Sequence, residues 1–182
     1  MDLLFEIPHN LPLDICKELI DKFENDTRKK PGVIGSGLNL DIKSSIDLPI
    51  SRLQDWDEMT TILKKYLDKG IAEYNKFLVN KLPISMDMSR LTCSAFQIQK
   101  SGHYKWHVDT RIEFGKVRVL TYIWYLNTIE DGGETGFVYK KVKPEAGKLV
   151  FFPATWDYVH CGFPAENKYI LTGWLWSEVN QV

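Results

Sequence analysis

The apolar positions change their period half-way along the chain. Behind the start signal Leu11-Pro12-Leu13-Asp14, Ile15, Leu19, Ile20 and Phe23 recur at helical spacing and predict an amphipathic helix. A longer stripe that includes Trp56, Met59, Leu63, Tyr66, Tyr74 and Leu78 predicts a second helix from about Asp55 to Asn80. Gly70 lies inside that stripe, where glycine costs up to ~1 kcal/mol, and is expected to mark a bend. Between the two helices, Thr27 to Gly37 reads as a turn region punctuated by Pro31, Gly32 and Gly35. Leu38 to Ile46 alternates polar and apolar residues, as an early strand would.

From Leu91 onward the texture is β. Thr92–Gln99, Lys116–Leu126, Thr135–Val142, Lys148–Phe152 and Tyr169–Ser177 read as strands. Turns are expected at Ser101-Gly102, at Asp131-Gly132-Gly133 and from Pro144 to Gly147. Short strands with frequent turns suggest a sandwich or barrel. The predicted fold class is α+β, a double-sheet barrel of jelly-roll type supported by N-terminal helices. No linker or repeat interrupts it, so residues 1–182 are expected to form one domain. Within it, 1–90 supply the helical support and early strand, and 91–178 the jelly-roll core.

Composition narrows the function classes. Apolar residues at 44% and charged residues at 26% are the balance of a globular protein. The 23 basic and 24 acidic side chains leave a net charge of -1, so no global field draws in nucleic acid or anionic lipid. No apolar run approaches the roughly 20 residues of a membrane helix. The opening Met1-Asp2-Leu3-Leu4-Phe5-Glu6 lacks the basic and apolar regions of a secretory signal. Three widely spaced cysteines, Cys16, Cys93 and Cys161, argue against a disulfide framework and for a reducing, cytoplasmic setting.

The candidate chemistry gathers around the histidines. In His107-Val108-Asp109 an imidazole and a carboxylate stand two positions apart, so on an extended strand both face the same side. His160 lies far downstream, delivered by the strand and turn that begin at Pro144. Two histidines and one carboxylate on one face are the donor set of iron(II) sites that keep open positions. On a strand from Asn167 to Trp174, Lys168, Ile170, Thr172 and Trp174 share a face, and a lysine buried there calls for an anion.

The order His107-x-Asp109, Gly132-Gly133-Glu134-Thr135, Pro144-x-x-Gly147, Phe152-Pro153, His160, Lys168-Tyr169 resembles the iron(II)- and 2-oxoglutarate-dependent dioxygenases, specifically their prolyl 4-hydroxylase-like branch. The resemblance covers about Thr92 to Trp176. It implies that His107, Asp109 and His160 are the catalytic iron ligands and that Lys168 pairs with the distal carboxylate of 2-oxoglutarate. It also implies cofactor-binding roles for Thr172 and Tyr125, and an aromatic floor at Trp174. The implied cofactors are Fe(2+), 2-oxoglutarate and O2, with ascorbate a candidate reductant. The implied reaction hydroxylates a C–H bond, of a prolyl or other side chain of a peptide or protein, and releases succinate and CO2. Two departures stand out. The step from His160 to Lys168 is shorter than the family pattern, and Gln97 or Gln99 occupies a strand where many relatives carry a tyrosine.

Alternatives remain at this level. The same superfamily includes hydroxylases of small molecules, and the same barrel serves as a cupin-like metal-binding domain or an epimerase. Tyr104, Trp106, Arg111, Trp124 and Trp156 are candidates for a substrate mouth. The loops Gly35–Asp47, Thr110–Lys116 and Thr128–Glu134 would surround it. Lys43-Ser44-Ser45 could pair with an extended peptide. His103 reads as a mouth or surface residue, and the sequence leaves the oligomeric state open.

Overall fold

The computed structural model describes every residue except 83–87, 94–95, 101 and 180–182. Both helical stripes fold as helices, α1 Leu13–Asn25 and α2 Asp57–Lys81. Acidic residues in the first turns (Asp14; Asp57 and Glu58) and Lys22 and Lys81 in the last complement the helix dipoles. Gly70 marks a close approach. A Cβ there would lie 2.5 Å from Leu149 Cδ2 and 3.1 Å from the Phe151 ring, so glycine lets α2 lie flat on the sheet. The helix runs unbroken through the position, where glycine provides this spacing.

The strands are β1 Phe5–Ile7, β2 Lys30–Pro31, β3 Ile46–Pro49, β4 Thr92–Cys93, β5 Gln97–Lys100, β6 Tyr104–His107 and β7 Ile112–Glu113. They continue with β8 Lys116–Tyr125, β9 Thr135–Phe137, β10 Lys141–Val142, β11 Leu149–Pro153, β12 His160–Gly162 and β13 Tyr169–Glu178. The larger sheet runs β1-β11-β8-β13-β5-β3-β2, with β4 against β13 and β7 against β8. The smaller runs β10-β9-β12-β6, and all pairings are antiparallel. Together they form the double-stranded β-helix expected from the strand spacing.

Local boundaries differ from the sequence pattern for identifiable reasons. The strand expected over Leu38–Ile46 begins only at Ile46. Upstream, the chain spends its hydrogen bonds on the edge of β6: Lys105 N donates to Ile42 O, and Ser44 N to His103 O. The backbone at Lys43 is therefore already bridged to Tyr104 rather than open to a peptide. Thr135–Val142 is two short strands, because Phe137 N closes a turn onto Lys140 O. Thr92–Gln99 is also two strands, and 94–95 between them fall outside the described residues. So does Ser101, while its neighbour Gly102 takes a turn-forming φ of +97°. Strands as short as β1 and β2 show no period in the sequence.

The larger sheet is buried on both faces. Its outer face carries Ile98, Leu120, Tyr122, Trp124, Leu149, Phe151 and Leu171, packed with Leu19 and Phe23 of α1 and Leu63, Leu67 and Tyr74 of α2. Burying each such side chain contributes about 1.5–3 kcal/mol. Its inner face turns Ile123, Tyr125, Val150 and Phe152 toward Phe137 and Val142 of the smaller sheet. Cross-strand rows on that inner face divide the cavity by depth. One row is Asp47–Gln99–Ile170–Tyr125, the next Pro49–Gln97–Thr172–Ile123, then Trp174–Thr121, and last Trp176–Arg118 across a bulge. Among the described residues, no helix is long and apolar enough to cross a membrane.

Candidate active site

A cavity of about 830 Å³ opens between the sheets, and His107, Asp109 and His160 converge in its wall. β6 ends at His107 and β12 begins at His160, directly paired across the smaller sheet. Asp109 lies two residues past the end of β6, so its position is not set by strand pairing. His107 Nε2 is 3.7 Å from Asp109 Oδ1, and His160 Nε2 is 3.8 Å from Asp109 Oδ2. One ligand atom from each of the three residues lies within 4.8 Å of the others.

The tautomers suit a metal. His107 Nδ1 donates to Lys105 O at 2.7 Å and His160 Nδ1 to Tyr158 O at 3.0 Å. A carbonyl only accepts, so each Nδ1 carries the proton and each Nε2 lone pair faces the carboxylate. Burial, with His160 nearby, pushes the His107 pKa down to about 4, which keeps the ring neutral. Burial alone would raise the Asp109 pKa. The two histidines, with hydrogen bonds from Trp174 and Thr121, outweigh it and the net shift is downward. Two imidazole nitrogens and an ionised carboxylate are what a divalent ion of borderline softness takes. The residues present therefore fit iron(II). Tyr104 stacks on His107 with centroids 3.5 Å apart, and Phe152 meets His160 edge-on at 4.7 Å.

Lys168 lines the same cavity, immediately before β13 and 8% exposed. Its Nζ donates to the carbonyls of Gly133 at 2.9 Å and Phe163 at 3.3 Å, and no carboxylate pairs with it among the described residues. Burial lowers its pKa to about 8. Gly133 has a φ of +71°, and a Cβ there would come 2.9 Å from Ala165 and 3.2 Å from Lys168 Cδ. The Gly132-Gly133 turn is thus shaped around the lysine. Lys168, Ile170, Thr172 and Trp174 all line the cavity, as strand alternation predicted, and Trp176 continues the row.

The other expected residues fall less uniformly. The Thr172 hydroxyl lines the cavity but donates to Tyr122 O at 2.9 Å. Tyr125 is buried one layer behind the wall, its hydroxyl 2.6 Å from Thr135 Oγ1, and Thr135 is the group that reaches the cavity. Tyr104 and Arg111 line the mouth, whereas Trp106 and Trp156 point to solvent outside it. Trp124 is no mouth residue. It lies in the outer core with its Nε1 donating to Asn10 Oδ1 at 2.8 Å, because a strand buried on both faces gives no alternation to assign sides. His103 pins the mouth loop through Ser44 and the Asp41 carbonyl. Cys161 is buried in the wall, where burial pushes its thiol pKa up.

Two features escaped the sequence reading. Thr121 donates to Asp109 Oδ2 at 2.7 Å; its signal was a hydroxyl two residues before Ile123 and four before Tyr125 on the inner face of an apolar strand. Lys43 and Asp47 form a buried ion pair at 2.7 Å, joined by Ser45 and Gln97, each donating to Asp47 at 2.6 Å. Two charges four residues apart in a loop look solvated, and nothing local shows that the sheet closes over them.

Residues 92–176 match the family model of the 2OG-Fe(II) oxygenase superfamily, a segment that contains both sheets' central strands and all three converging donors. Over that segment the chain is similar to the 2OG-Fe(II) oxygenases. The chain has solved structural neighbours that are prolyl hydroxylases. A viral collagen prolyl hydroxylase from Paramecium bursaria Chlorella virus-1 aligns over 97% of both chains, with 19% identity and a TM-score of 0.63. A Trichoplax adhaerens prolyl hydroxylase, solved with a peptide fragment of the hypoxia inducible factor oxygen degradation domain, aligns over 94% of this chain and 82% of its own. Its identity is 19% and its TM-score 0.75. A Pseudomonas putida prolyl-4-hydroxylase gives 18% identity and a TM-score of 0.67 over 94% of this chain and 91% of that one. At these identities the neighbours establish the jelly-roll fold. Comparison with curated proteins gives no match. The superfamily implies iron(II), 2-oxoglutarate and dioxygen for a 2-oxoglutarate-dependent dioxygenase.

Proposed function

We propose that the chain hydroxylates a prolyl or other side chain of a peptide or protein, with residues 1–182 working as one domain. In this reading His107, Asp109 and His160 hold iron(II) through two Nε2 atoms and a carboxylate. Lys168 takes the distal carboxylate of 2-oxoglutarate. With both groups bound, the site oxidises a C–H bond with dioxygen and releases succinate and CO2. The protein's part is orientation: Thr121 and Trp174 fix the Asp109 carboxylate, and the Lys105 and Tyr158 carbonyls fix the two imidazoles. Ile123 gives the cavity wall an apolar surface, with Phe152 and Phe137 in the core cluster behind it.

The observation that carries the reading is one cavity whose wall holds both a metal-suited donor set and a buried lysine with no carboxylate partner among the described residues. The three free cysteines are in keeping with a reducing compartment such as the cytoplasm. The test adds iron(II) and then 2-oxoglutarate without oxygen, looking for a visible charge-transfer band. Succinate release is then followed over a peptide panel that includes proline-rich sequences, with mass spectrometry for the gain of one oxygen. An Asp109→Ala protein that still forms succinate would overturn the assignment.

A further inference from the structure

The cavity is far more basic than the chain. Among the described residues its wall carries Lys30, Lys43, Arg52, Arg111, Arg118 and Lys168 against Asp47, Asp109 and Glu113, in a protein whose net charge is -1. Two of the three carboxylates are already matched, Asp47 by Lys43 at 2.7 Å and Glu113 by Arg111 at 2.9 Å. The third, Asp109, belongs to the donor cluster. Iron(II) and the 2-oxoglutarate dianion neutralise one another, so the cofactors of the proposed function do not absorb the excess. Lys30, Arg52 and Arg118 form no ion pair with any described residue, and all three border the cavity.

Arg118 is the most constrained of them. It faces Trp176 in the row farthest from Lys168. Its Cζ lies 3.6 Å over the Trp174 ring and 5.1 Å over the Trp176 ring, in cation–π range of both indoles. Nη1 reaches the Asp109 carbonyl only at 3.4 Å, and Nε is buried with no hydrogen-bond partner. A planar fork of N–H donors, half removed from water and holding only that one long contact, is suited to a carboxylate. The indole floor fixes its direction, and Asp109 beside it places that carboxylate close to the reacting centre.

We propose that the substrate is an acidic polypeptide segment, and that Arg118 receives an Asp or Glu side chain close to the residue that is oxidised. Lys30 and Arg52 on the rim extend the same preference to flanking acidic residues. The reaction at the centre rests on the function proposed above, whereas the charge preference rests on the wall alone.

The experiment measures binding in the absence of turnover. The full chain, loaded with iron(II) and 2-oxoglutarate without oxygen, is titrated against three labelled, end-blocked peptides with a central proline flanked by aspartate, asparagine or lysine. The aspartate peptide is expected to bind ~10-fold or more tighter than the asparagine peptide at low salt, with the advantage shrinking as salt rises. Arg118→Gln should remove most of that advantage and leave the asparagine peptide within about 2-fold, while Arg118→Lys restores it in part. Lys30→Gln with Arg52→Gln, both exposed and safe for folding, should cost the aspartate peptide ~3-fold. Equal binding of the aspartate and asparagine peptides, or failure of both to bind, overturns the proposal. N-acetylaspartate methylamide binding as tightly as the peptide would overturn its polypeptide part. A charge-blind protein that still forms succinate sinks this inference alone. An acid-selective protein without the visible band or succinate sinks the functional reading alone.

Discussion

Thr121 and Asp109 are joined by a 2.7 Å hydrogen bond that runs from the larger sheet to the donor cluster of the smaller one. The bond consumes one lone pair of Oδ2 and so fixes the direction in which the carboxylate offers the rest. Thr121→Val keeps the shape and removes the hydroxyl. Iron(II) affinity, read by anaerobic titration, should fall about 10–100-fold, while the urea midpoint moves little. An unchanged metal affinity would mean that Trp174 alone orients Asp109.

Lys168 gives a prediction with a sign. Burial lowers its pKa to about 8, so above that pH the amine in the empty site is neutral. An anion favours the charged form, so binding 2-oxoglutarate there must take up a proton. Affinity should be flat below pH 8 and weaken as the pH rises through it, as measured by calorimetry in buffers of different ionisation enthalpy. Lys168→Arg, charged throughout, should show no such step even if it binds less tightly overall.

Gly70→Ala sets two effects against each other. Helix propensity favours alanine by ~1 kcal/mol, yet the new methyl would press on Leu149 and Phe151. Overpacking costs about 1–3 kcal/mol, so the net result should be destabilising, visible as a lower urea midpoint. A stabilised variant would show that α2 can lift without cost.

The buried Lys43–Asp47 pair should behave asymmetrically. Lys43→Met alone strands the Asp47 carboxylate and should cost about 3–5 kcal/mol in denaturant unfolding. Pairing it with Asp47→Leu should recover much of that loss. Equal damage in the single and double variants would contradict the account.

The donor cluster was legible because its chemistry is written in short spacings and chain order: His107 with Asp109, and His160 after a buried strand. Lys168 was legible from parity along β13. The residues that orient these groups were not. Thr121 reads as an ordinary β-former, and Lys43 and Asp47 read as solvated charges until β2, β3 and β5 are seen side by side. Trp124 shows the opposite failure, an aromatic near a motif whose side of the sheet no local pattern could assign. Long-range pairing decides such positions, and a single sequence carries it only indirectly.

Each proposed iron-binding imidazole is anchored by the carbonyl two residues before it, within the segments leading into β12 or along β6. The rings are therefore aimed by the same backbone ladder that closes the barrel, with no distant loop required to swing into place. Capturing an ion should consequently demand little rearrangement, and damage to the seam between those two strands would blunt capture even with every donor intact.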